Sequence, residues 1–271
     1  MIGRTTLQRR MASLRVIAAL LLLFTSSTVG APNPDALDRL LEDVGRQVQV
    51  FCDQFTAVTC SEQVVQRRLN ASDKVQLERQ ARYDYLLVFG LEGDELTVEE
   101  SRLQQGKPPK STSTPLLLTS GFSTLLLVFH PHFQNDYEFS LEAPAAAPQS
   151  SEVTIHFRQK PSARVLSVLQ LKGREYPIVW RGKAWVDPSS GRISRIQAGL
   201  DTPMADLGLI HLDTEVSYGP IHFSELKETY WLPQMATIDA ETPRRHWQNR
   251  HRFSGYRRFS VTTQEETGGV P

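Results

Sequence analysis

Cysteine is nearly absent from this chain: there are two, Cys52 and Cys60, in 271 residues. That excludes a disulfide-dense scaffold and any cysteine-rich zinc module. No apolar run approaches the ~20 residues that a bilayer-spanning helix needs. No surplus of charge exists either, with 30 basic and 30 acidic residues, so no overall field draws the chain toward nucleic acid. The short motifs of catalysis are missing as well. There is no G-x-S-x-G elbow, no H-E-x-x-H, no G-x-G-x-x-G and no P-loop, which points away from an enzyme.

What is present begins with a leader. Arg4, Arg9, Arg10 and Arg15 precede the nine apolar residues Val16 to Phe24, "VIAALLLLF", and the small and polar "TSSTVGAP" comes next. This is the order of a secretory signal peptide over residues 1–31, cut after Gly30 or Ala31. Removing its four arginines leaves 26 basic against 30 acidic residues, a mildly acidic exported chain. Outside the cytosol, an even pair of cysteines favours a disulfide between Cys52 and Cys60, with two buried thiols as the alternative. Seven residues separate them, so such a loop stabilises only at the low end of the usual range.

Residues 32–261 read as one domain and 262–271, "TTQEETGGVP", as a loose tail. Asn33-Pro34-Asp35 opens a helix. Leu37, Leu40, Leu41, Val44, Val48, Phe51 and Phe55 then recur at helical steps, an apolar stripe that must be covered. Extended patterns run over Thr56 to Leu69, Arg82 to Leu91 and Glu95 to Glu99. Thr114-Pro115 starts a second helix, apolar nearly all round, that ends at His130-Pro131. From Tyr137 to Val261 the chain alternates or runs extended in short pieces joined by turns. In "GKAWVDPSSGRISRIQAGL", Pro188 suits the first turn position and Gly191 the left-handed one. About ten sequential strands and two helices predict a mainly β, α+β fold. It is a large curved antiparallel sheet or unclosed β-barrel, with the two apolar helices packed on its concave side.

Few residues carry chemistry. His130 and His132 flank Pro131 without the further ligands that zinc requires, and the other five histidines read as strand or loop surface, so no metal or other cofactor is expected. "RRHWQNRHRFSGYRR", Arg244 to Arg258, is basic and aromatic. Trp247, Asn249, His251 and Phe253 share one strand face there and the arginines the other, which is how a half-exposed strand looks. If that stripe binds anything, an anionic headgroup or polysaccharide suits an exported chain better than nucleic acid. The remaining lead is aromatic. Phe122, Phe129, Tyr137, Phe139, Trp180, Trp185, Tyr230 and Trp231 are core residues by default, and a subset lining an open cleft makes a site for a lipid-like ligand.

The segments "REYPIVWRGKAWVDPSSGRISRIQ", "TYWLP" and "RFSGYRRFS", with "CSEQVVQRRL" after the first helix, resemble a group of uncharacterised exported bacterial proteins. That group is similar to the outer-membrane lipoprotein-carrier superfamily, the LolA-like fold. The resemblance implies a periplasmic, non-enzymatic protein holding a lipid or lipoprotein acyl chain. An envelope-sensing or protein–protein module with a filled cavity is the alternative. No ligand-contacting residue is carried over from the resemblance.

Overall fold

The computed structural model describes residues 34–56, 58–92, 95–106, 122–143, 151–164, 167–171, 174–223 and 227–258. The expected leader at 1–31, the tail at 262–271 and the start of the second helix at 114–121 lie outside the described residues.

The apolar stripe of the first helix needs a partner surface, and the sheet provides it. In α1 (Pro34–Thr56), Leu40, Val44, Val48, Phe51 and Phe55 are buried while Asp38, Arg39, Glu42 and Arg46 face solvent. The chain then turns extended, and the strands are β1 (Val58–Leu69), β2 (Val75–Glu92) and β3 (Glu95–Gln104). A 3-10 helix (Phe122–Phe129) and a one-turn α2 (Pro131–Gln134) come next. After them lie β4 (Tyr137–Leu141), β5 (Val153–Gln159), β6 (Val168–Leu171), β7 (Arg174–Pro177), β8 (Trp180–Val186) and β9 (Ile193–Leu200). The last three strands are β10 (His211–Phe223), β11 (Glu228–Thr242) and β12 (Arg245–Arg258).

Ten strands form one antiparallel sheet in the order β3-β2-β1-β12-β11-β10-β9-β8-β5-β4. Neighbours are sequential except where β1 meets β12 and where the small β6-β7 hairpin is inserted between β5 and β8. The first and last strands therefore close the meander at its middle, and among the described residues β3 and β4 remain as edges. The sheet curves without closing. Period-two burial sends Val58, Cys60, Ala184, Ile196, Val216, Ala236 and Ile238 to the concave side. There they merge with α1 and the 3-10 helix into one core.

The predicted hairpin is present, and its turn explains its place. Gly191 has φ 70°, and the Asp187 carboxylate accepts from the Ser189 N–H at 2.9 Å and from the Ser190 hydroxyl at 2.8 Å. A Cβ on Gly191 would stand 2.8 Å from the Asp43 carbonyl carbon and oxygen. The bare turn is what lets the β8-β9 tip abut α1.

Two expectations are corrected. Cys52 and Cys60 are free thiols, both buried. One lies on the inner side of α1 and the other points inward from β1, and desolvation by burial pushes each thiol up to about 12. They behave as small apolar side chains. The second helix is not a continuous α-helix through residue 129. It is 3-10 over its last eight residues, and Pro131 opens α2 instead of ending a helix. His130, held extended before the proline, caps that new turn, its Nδ1 accepting from the His132 N–H at 3.1 Å.

Candidate functional site

Leu125, Leu126, Leu127, Val128 and Phe129 are all buried. Five consecutive hidden side chains need cover on every side, and α1 supplies it from one direction and strands β9, β10 and β11 from another. A 3-10 helix has a narrower girth than an α-helix, and runs beyond three or four residues are uncommon because its hydrogen bonds are poorly aligned. Tertiary packing holds this segment in place, which makes it a plug in the concavity. The Gln134 amide pins its exit by donating to the carbonyls of Phe129 (2.8 Å) and of Leu41 on α1 (2.9 Å).

Beside the plug is a mouth between α1 and the strands. Val48, Phe51 and Gln54 from the helix, Leu126 from the plug, and Tyr230 and Trp231 from β11 line it. Its enclosed volume is about 40 Å³, space for water but not for a ligand. Val50, 44% exposed, stands at its rim. Trp231 is held by its indole N–H donating to the Ile193 carbonyl at 2.7 Å and by the Arg192 guanidinium 5.6 Å from its ring centre.

The eight aromatic candidates fall in different places. Phe129 packs on Phe139 (5.2 Å between ring centres) and on Phe157 (5.7 Å), and Tyr137 lies 6.2 Å from Phe139. Trp180 is buried one strand beyond. Tyr230 and Trp231 belong to the mouth. Trp185 is on the opposite face of β8 from the buried Ala184 and Val186, between Lys183 and Arg195. The side chain of Phe122 lies outside the described residues. Two polar atoms near the plug matter. The Tyr137 hydroxyl and the Trp180 indole N–H are buried with no hydrogen-bond partner among the described residues. Both flank Gln159: Tyr137 pairs with it across the strands, and the Trp180 backbone N–H donates to its side-chain oxygen at 3.0 Å. Unmet buried donors are costly and call for an acceptor.

A second constellation depends on the pairing of β1 with β12, which no local pattern in the sequence shows. Glu62 and His251 are 0% and 1% exposed. The carboxylate receives Arg102 Nε at 2.6 Å and His251 Nδ1 at 2.8 Å. Arg102 also reaches Glu100 at 2.7 Å, and the Tyr85 hydroxyl donates to Glu100 at 2.6 Å. Burial alone would raise the Glu62 carboxyl, but the hydrogen bonds from His251 and Arg102 outweigh it and hold the carboxyl low. Burial lowers His251 despite the pull of Glu62, so its neutral ring donates from Nδ1. His251 is thus not surface, as its scattered position in the sequence implied. Its alternation with Asn249 and Phe253 was the available signal. The network joins β1, β2, β3 and β12, and none of its residues lines the mouth, so it reads as structural.

No described helix is long and apolar enough to cross a membrane. No family model matches the chain, and no curated protein matches it. Among solved structures it is similar to the domain of a candidate outer membrane lipoprotein-sorting protein from Vibrio parahaemolyticus. The two are 10% identical, with a TM-score of 0.39, covering 86% of this chain and 94% of that one. It is also similar to a DUF1329 family protein from Desulfovibrio piger, 12% identical with a TM-score of 0.40, covering 87% of this chain and 95% of that one.

Proposed function

We propose that this is a non-enzymatic exported protein that holds an apolar ligand, the acyl chain of a lipid or lipoprotein, in place of its own plug. The observation that carries this reading is the plug itself: five buried apolar residues in 3-10 form, beside two unmet donors. An acyl chain entering at the mouth displaces Leu125 to Phe129. Each methylene it buries contributes about 0.8 kcal/mol, against a comparable loss for the side chains it expels. The exchange is near balance, which suits loading and release. Tyr137 and Trp180 then donate to the ester or amide carbonyl of the ligand. Phe129, Tyr137, Phe139 and Trp180 line the chain, and Tyr230 and Trp231 the entrance. Trp185 lies on the other face and takes no part. The protein works in the periplasm after losing residues 1–31, as a single domain over 32–261 with a tail at 262–271.

A filled interaction module is the competing reading, favoured by the small mouth volume. Native mass spectrometry and lipid extraction of chain purified from its own envelope separate the two. A stoichiometric acyl lipid, and an increase in uptake of a fluorescent fatty acid when Val128→Ala loosens the plug, are the expected results. A lipid-free protein that takes up no fatty acid, with or without the substitution, ends the carrier reading in favour of the module.

A further inference from the structure

The face of the sheet away from the core carries an ordered charge pattern that the acyl site does not use. Strand register sets Arg82, Gln63, Arg252, Met235, Ser217, Arg195 and Trp185 side by side, one from each of β2, β1, β12, β11, β10, β9 and β8. Each alternates with the buried positions of its own strand, so the row faces outward. At about 4.8 Å per strand it extends about 30 Å. Arg250 stands in the next row, paired with Val65 and Thr237. Lys183 and Arg195 bracket the Trp185 ring at 4.9 and 3.7 Å.

The carboxylates bordering this row are occupied. Glu215 pairs with Arg195 at 3.8 Å, Glu78 with Arg67 at 2.8 Å, and Asp84 with Arg257 at 3.7 Å. Asp239 is engaged by His246 at 2.8 Å. Arg82, Arg250 and Arg252 are exposed and make no ion pair among the described residues. A chain with balanced charge therefore keeps a local cationic surplus here. A groove of about 310 Å³ lies alongside, lined by Val65, Arg67, Thr237, Asp239, Gln248 and Arg250. Met235, 43% exposed, interrupts the arginines with an apolar side chain.

We propose that this face docks on an anionic lipid surface, with Arg82, Arg250 and Arg252 meeting headgroup phosphates and Met235 and Trp185 reaching the headgroup boundary. The row is far longer than a single small anion. Cations mixed with tryptophan and an exposed thioether fit the edge of a bilayer better than a purely charged protein partner. The site is on the opposite face from the plug, so the inference stands apart from the acyl-chain reading.

Flotation of the full chain with vesicles tests it. Binding to phosphatidylglycerol mixed with phosphatidylcholine is expected, with none to phosphatidylcholine alone, and it should weaken as salt rises. The variant Arg82→Gln/Arg250→Gln/Arg252→Gln should lose about a hundredfold in affinity, about fivefold per arginine. Arg39→Gln on α1 should lose nothing. Equal binding to both vesicles, or an unchanged triple variant, overturns the proposal. Displacement by millimolar inorganic phosphate but not by chloride at equal ionic strength also overturns it, in favour of a soluble anion. Fatty-acid uptake measured on the same triple variant should be unchanged, which keeps this test separate from that of the plug.

Discussion

Glu62 carries a charge where no water reaches it, and only its neighbours make that tolerable. Arg102 and His251 satisfy its oxygens at 2.6 and 2.8 Å, and Glu100 and Tyr85 complete the ring around the guanidinium. A buried pair of this kind contributes little net stability over an apolar pair, but breaking it leaves an uncompensated charge. Glu62→Gln is therefore expected to destabilise by about 3–5 kcal/mol in urea unfolding. Glu62→Gln/Arg102→Met should recover a large part of that loss. Strict additivity of the two single substitutions would show that the pair is not coupled.

Elements are held together here by a few close approaches. The β8-β9 turn meets α1 at Gly191 and Asp43, and Trp231 ties β11 to the start of β9 through the Ile193 carbonyl. Gly191→Ala adds a Cβ at positive φ and against the helix backbone at once. A cost of about 1–3 kcal/mol is expected from the backbone strain alone, read as a lower Tm. A Tm equal to the parent would mean that the hairpin tip is not seated on α1. The 3-10 helix is the opposite kind of element, since packing and not its own hydrogen bonds holds it. That is why the plug, and not α1, is the segment expected to yield.

Acid is expected to destabilise the whole molecule, and two buried groups set the sign. His251 is held below its ordinary 6.5 in the native state, so the unfolded chain binds protons first as pH falls past that value. Glu62 is held below 4.5 and adds a further loss as pH falls toward its native value. In both cases the unfolded state takes up more protons, and stability drops. His246 acts the other way, because Asp239 and Asp73 raise it against the effect of burial. Its contribution is present below 6.5 and is lost as pH rises through its raised value. It is far more open to water and weighs less. Tm should thus be lower at pH 5 than at pH 7.5, and His251→Asn, which keeps a donor toward Glu62, should flatten that slope. A Tm that climbs on acidification would place the balance with His246.

The amphipathic stripe of α1, the alternation of the strands and the Asp187 to Gly191 turn were legible in one dimension, because each depends on neighbours two to four residues away. The mainly β class and the burial of α1 follow from those patterns alone. Pairing of β1 with β12 joins residues almost two hundred positions apart, and no local period encodes it. That pairing brings His251 to Glu62 and Arg82 into line with Arg252. The same long-range geometry leaves the two cysteines as separate thiols and winds Phe122–Phe129 into a 3-10 helix. Local physics chose the elements, and only tertiary packing decided which side chains meet.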